Sequence, residues 1–147
     1  MTPLVYDETD LITLPYAKYI VSEILGYFNI THIPKIIIHK NHNLDSKILA
    51  TYYEETIDVY GRDNLTIGVV LHELSHHIQY YELLNKRYIK EVFELRHNLK
   101  FFTIEKKVFD ICRKRFIMVI MNLDEDYRNM KSWNQVFSNE FRKYGMI

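Results

Sequence analysis

The sequence predicts an α+β fold for one small domain, a short antiparallel or mixed sheet of about three strands packed on a central helix, with further helices after it. Three observations predict it. A β-branched run and a strand pair fall together between residues 33 and 64. A helical stretch apolar on most sides follows at 65–85. From there to residue 147 the apolar periodicity is helical. At 147 residues, 48% hydrophobic and 26% charged, with twelve Tyr and eight Phe, the chain has the balance of a folded domain with one core.

Residues 15–28, PYAKYIVSEILGYF, form the first helix. Pro15 suits a first turn, and Tyr16, Ile20, Ile24, Tyr27 and Phe28 form its stripe. Gly26 weakens its end and Pro34 bars continuation. IPKIIIHK, 33–40, is a strand, and NHNLDS a polar turn. Residues 48–64 hold two short strands with Glu54 and Glu55 near the turn between them. Alternation puts Ile57 and Val59 on one face, and Thr56, Asp58 and Tyr60 on the other. Gly61 to Asn64 break the strand, and Asp63 or Asn64 caps the next helix.

That helix, 65–85, turns Ile67, Val70, Leu71, Leu74, Ile78 and Tyr81 to one side. Leu65, Val69, His72, His76, Gln79 and Tyr80 lie on the other. Two helix-like segments follow, KRYIKEVFELRH and NLKFFTIEKKVFDICRKRFIMVIMNL, with a break near His97 and Asn98. A last helix is expected around WNQVFSNEFRKY, where Trp133 reads as a core anchor.

Cys112 is the only cysteine, so no disulfide and no cysteine zinc ribbon forms within the chain. It reads as a small buried hydrophobe. The start, MTPLVYDETD, has acids where a secretion signal needs bases, and no apolar run approaches a membrane span. The expectation is a cytoplasmic protein, neither secreted nor in a membrane, in a cell or, for a phage or viral protein, in the host cytoplasm or virion. The formal net charge is zero, but residues 86–115 carry ten Lys/Arg against four Asp/Glu, net +6. Such a run is either solvated helix surface or a face for nucleic acid.

The chemistry concentrates in TIGVVLHELSHHIQYY, residues 66–81. His72 and His76, one helical turn apart, project the same way and can share one Zn²⁺. Glu73, about 100° around the helix from His72, can lean over the metal without ligating it and take a proton from water. This is the mechanical content of H-E-x-x-H, matched by HELSH. Two histidines and a glutamate on a dry helix are costly to bury without a metal or partners. His77 points about 100° away from His76, outside the same metal's reach, and is expected at the surface or behind the ligands.

A catalytic zinc needs a third protein ligand and an open position. Candidates downstream are Glu82, Glu91, Glu94, His97 and Asp110. Glu82 sits on the same helix at a poor angle. His97, where a new helix begins, can reach back to the first. Glu94 or Glu91 would serve a site with a carboxylate ligand. Tyr80 and Tyr88 are the nearest hydroxyls for stabilising an oxyanion. The strand at 49–60 offers an edge to an extended protein or peptide substrate.

VVLHELSHHI followed by RHNLKFFTIEKKVF resembles the SprT/Spartan-type zinc metallopeptidases and their WLM-type relatives. His97 and Phe101 fit that family's H-x-x-x-F shape, and LATYYEETIDVY resembles the strand pair leading into its active-site helix. The resemblance covers about residues 48–110, with 111–147 as a helical extension. It implies a minimal zincin-like domain, His72, His76 and His97 as zinc ligands, Glu73 as general base, and substrates among DNA-associated proteins. Asn98 stands where the family usually has Gly, the spacer to His97 is long, and no cysteine-rich module follows. HELSHH also resembles gluzincin-like, repressor-cleaving phage proteases, which use an acidic third ligand. The other alternative is a catalytically silent protein that keeps the fold for binding.

Overall fold

A computed structural model describes residues 11–87 and 95–122, with side chains through Lys114. Among the described residues there are three α-helices and a three-stranded mixed sheet, an α+β arrangement. Helix α1 spans Leu14–Tyr27. Thr13 opens it, its hydroxyl accepting from the Tyr16 amide at 3.3 Å, with Pro15 in the first turn. Tyr16, Ala17, Ile20, Val21, Ile24 and Leu25 form its buried stripe. Tyr27, expected in that stripe, is instead exposed.

Strand β1 is Lys35–His39, β2 is Ala50–Tyr53 and β3 is Thr56–Tyr60. Their order is β1-β3-β2, with β1 parallel and β2 antiparallel to β3. Ile57 and Val59 are buried and Thr56, Asp58 and Tyr60 only partly so, as alternation requires. Glu54 and Glu55 make the whole β2–β3 turn, both left-handed at φ 43° and 64°. Such a two-residue turn matches the strand twist but is a costly conformation for glutamates. Three bonds hold it: the Glu55 amide donates to the Tyr52 hydroxyl at 3.2 Å, the Lys35 amide donates to the Glu55 carbonyl at 2.9 Å, and Tyr81 donates its hydroxyl to the Glu55 carboxylate.

Helix α2 spans Ile67–Asn85. Its cap is Thr66, whose hydroxyl accepts from the Val69 amide at 3.2 Å, and neither Asp63 nor Asn64. Those two fall in a 3-10 turn, Arg62–Asn64, where Asp63 bonds His42 and Asn64 donates to the Tyr60 carbonyl. The helix is packed by α1 and the sheet on one side and by helix α3, Leu99–Asn122, on the other. Asn98 caps α3, its side-chain oxygen accepting from the Phe101 amide at 3.0 Å. Phe101, Ile104, Val108 and Cys112 are its buried stripe. The helix runs without a break through residues 110 and 111. The segment 88–94, most of KRYIKEVFELRH, and the tail with Trp133 lie outside the described residues.

Candidate metal centre

On α2, His72 and His76 project toward the start of α3, and His97 stands immediately before the Asn98 cap. The His97 Nε2 is 3.2 Å from His72 Nε2 and 3.0 Å from His76 Nε2. Among the described residues, His72, His76 and His97 form a group that could hold a metal ion, each offering one ring nitrogen.

The protons on two of these rings follow from their other nitrogens. His72 Nδ1 lies 2.6 Å from a Glu105 carboxylate oxygen, which only accepts, so Nδ1 carries the hydrogen. His76 Nδ1 lies 2.9 Å from Gln79 Oε1. The Gln79 amide nitrogen donates to the Arg96 carbonyl at 2.9 Å, which fixes the amide orientation and makes His76 Nδ1 a donor too. Both helix histidines therefore present Nε2 lone pairs to the same point. His97 Nε2 stands about 3 Å from each of them, and the three ring nitrogens lie within 4.8 Å of one another. Nitrogens bound tetrahedrally to one zinc at 2.0–2.1 Å lie about 3.3 Å from one another. The two spacings from His97, 3.2 and 3.0 Å, are close to that, and the imidazole donor set fits the ion.

Phe101 packs against all three rings, face to face with His76 at 4.3 Å and 22°. Burial holds His76 well below the usual imidazole range, at about 4, against the opposing pull of the Gln79 hydrogen bond. His76 is thus neutral at pH 7, the form a ligand needs.

Glu73 is 6% exposed, and among the described residues its carboxylate has no hydrogen-bond partner. Burial raises it to about 7, the nearby His72 acting the other way. It faces a cavity of about 640 Å³ whose lining includes His72, His76, His97, Gly68 and Val69 on one side and Lys47–Glu54 on the other. That second wall is β2 and the loop before it. A buried carboxylate near neutrality, beside three convergent nitrogens and open to a cavity, can accept a proton from a molecule bound there.

Other candidates lie elsewhere. Glu82 pairs with Lys86 at 3.0 Å and Asp110 with Arg113 at 3.3 Å. Tyr80 meets Tyr52 and Tyr81 edge-on and is not among the cavity-lining residues, which include Tyr52 and Tyr53. Tyr88, Glu91 and Glu94 fall outside the described residues. His77 is not at the surface: it is fully buried, its Nε2 donating to the His32 carbonyl at 2.7 Å and its Nδ1 facing the Tyr52 hydroxyl at 2.8 Å. A surface position fails because the helix is covered on the sheet side as well.

Sequence reasoning missed Glu105 and the role of Gln79. A signal for each existed. Gln79 is three residues after His76, and Glu105 is four after Phe101, on the same helix face. The partner across helices, however, is set by packing. Compared with protein-family models, with curated proteins and with solved structures, the chain matches none.

Proposed function

We propose that the chain is a zinc-dependent metallopeptidase in which His72, His76 and His97 hold the ion and Glu73 is the general base. One observation carries the reading: ring nitrogens of three histidines lie within 4.8 Å of one another, His97 Nε2 about 3 Å from each of the other two, beside a buried carboxylate with no hydrogen-bond partner among the described residues. Three imidazoles suit zinc among several metals, and three protein ligands leave the open position of a catalytic site. Bound there, zinc supplies Lewis acidity toward a carbonyl and lowers the pKa of water.

The chain's own residues do the rest. Glu73 takes a proton from water and passes it to the departing amine. Phe101 keeps the floor of the site dry. Strand β2 presents a free edge to the substrate. Tyr53 pairs with Thr56 across the two-residue turn, and the Tyr60 amide bonds the Leu49 carbonyl at 3.0 Å. In an antiparallel ladder the intervening Ala50 and Tyr52 then turn their amides and carbonyls outward. An extended peptide can pair with them regardless of its sequence. The resemblance to SprT/Spartan-type enzymes agrees with this reading, and the silent binding protein is disfavoured because a structural metal needs no base.

The test is a Glu73→Gln protein that keeps its metal. Loss of peptide cleavage with metal retained supports the reading. Cleavage at the wild-type rate overturns it. Cleavage by neither protein favours the silent alternative. A second element concerns nucleic acid. Lys100, Lys106, Lys107, Arg113 and Lys114 are all exposed along α3. They favour contact with a polyanion and with proteins bound to it. DNA binding that weakens steeply with salt supports this, and no binding at low salt removes it. No helix among the described residues is long and apolar enough to cross a membrane.

A further inference from the structure

The free edge of β2 has charged side chains of opposite sign at its two ends. Lys47 lies at the end where the strand is entered, and Glu54 in the turn where it is left. Both line the cavity that holds His72, Glu73 and His76. Both are exposed, and neither side chain has an ion-pair partner among the described residues. Each is held in place by its backbone. The Lys47 amide donates to the Asp45 carboxylate at 3.0 Å, and the Ile48 amide to the Asp45 carbonyl at 3.0 Å. Glu54 occupies the left-handed turn that Glu55, Tyr52 and Tyr81 secure. Between the two ends the wall is apolar or aromatic except for Thr51, with Ile48, Leu49 and Tyr53 exposed.

We infer that Lys47 and Glu54 select the substrate by charge, and that the preferred peptide has a basic residue before, and an acidic residue after, an apolar centre where the bond is cut. The polarity follows from pairing. Antiparallel addition is the more stable mode, so the peptide's earlier residues lie beside Glu54 and its later ones beside Lys47. Six residues, 48–53, lie between Lys47 and Glu54, so the two peptide charges flank a centre of comparable length. The inference rests on the peptide-binding part of the proposed function. It adds the sequence class that this cavity accepts.

The experiment measures binding apart from cutting. Labelled ten-residue peptides with an apolar centre carry Lys before and Asp after it, or the reverse. Their affinities for zinc-loaded Glu73→Gln protein are read by fluorescence anisotropy. The Lys-first peptide is expected to bind at least about threefold tighter, since exposed charge pairs are individually weak, and the difference should vanish near 1 M salt. The double variant Lys47→Glu, Glu54→Lys should invert the preference. Both positions are exposed, so folding is not at stake, and unchanged circular dichroism checks it. Equal affinities, no binding of either peptide, or a preference that survives the double reversal would overturn the inference. The two readings fail separately. Charge-selective binding without cleavage by wild-type protein sinks the peptidase and leaves the selectivity. Cleavage indifferent to charge does the opposite.

Discussion

His76 and His77 are neighbours on α2, both buried and both held below the ordinary imidazole range by that burial. They differ in what their second nitrogen meets. The His77 ring is bonded at both nitrogens, to the His32 carbonyl and the Tyr52 hydroxyl, and so ties α2 to the sheet and to the segment before β1. The His76 ring is bonded at Nδ1 by Gln79, while its Nε2 faces two other histidines and a cavity. Burial and residue type do not separate a structural histidine from a ligand. The direction of the remaining lone pair does.

The comparison is broken most severely by removing a proposed ligand. His76→Ala should lower zinc affinity by more than the roughly 100-fold typical of losing a mere supporting residue, and should lower the stability of the metal-free protein less than His77→Ala, whose ring is bonded at both nitrogens. Competition with a zinc chelator measures the first and thermal melting the second. His77→Ala should do the reverse. It removes a fully buried ring together with its bonds to the Tyr52 hydroxyl, which keeps the Glu55 amide, and to the His32 carbonyl, at about 1–3 kcal/mol in all, so the melting temperature falls while zinc binding persists. Equal zinc loss in both variants would erase the distinction drawn here.

Changing the supports sharpens it. Glu105→Ala and Gln79→Ala each release a ring from its tautomer and should weaken zinc binding about 10–100-fold, as outer-shell losses do. Gln79→Ala should have the wider effect, because Gln79 also holds the Arg96 carbonyl next to His97. Titration calorimetry decides between them. The smallest change is expected at Gly61, whose φ of 95° disfavours a side chain and where a Cβ would lie 2.3 Å from the His42 ring. Gly61→Ala should cost about 1–3 kcal/mol in stability and loosen the loop that carries Lys47, leaving zinc affinity nearly unchanged.

The two faces also differ in how far the sequence revealed them. Spacing alone gave the helix with His72, Glu73 and His76, the hairpin around Glu54 and Glu55, the alternation at Ile57 and Val59, and the break at Asn98, because each is a local property of a few residues. His97 came from its place before a helix and from the family resemblance, and the structure stands it beside the other two. The parallel pairing of β1 with β3 was not legible, since hydrophobic pattern does not specify a strand's neighbour. Nor was the Thr66 cap, displaced by a 3-10 turn that nothing in Arg62–Asn64 demands. His77 was left between the surface and a place behind the ligands, because helix geometry tells where a residue points but not what packs there; its full burial excludes the surface. Glu105 lies 33 residues from His72, a pairing that only the docking of α3 on α2 creates.

The central claim is that three convergent ring nitrogens hold zinc. It is tested most directly by elemental mass spectrometry of the purified wild-type, His97→Ala and His77→Ala proteins after zinc is added and excess removed. The account predicts one zinc per wild-type chain, retained in His77→Ala and lost in His97→Ala. Zinc absent from the wild-type protein, or undiminished in His97→Ala, would contradict it.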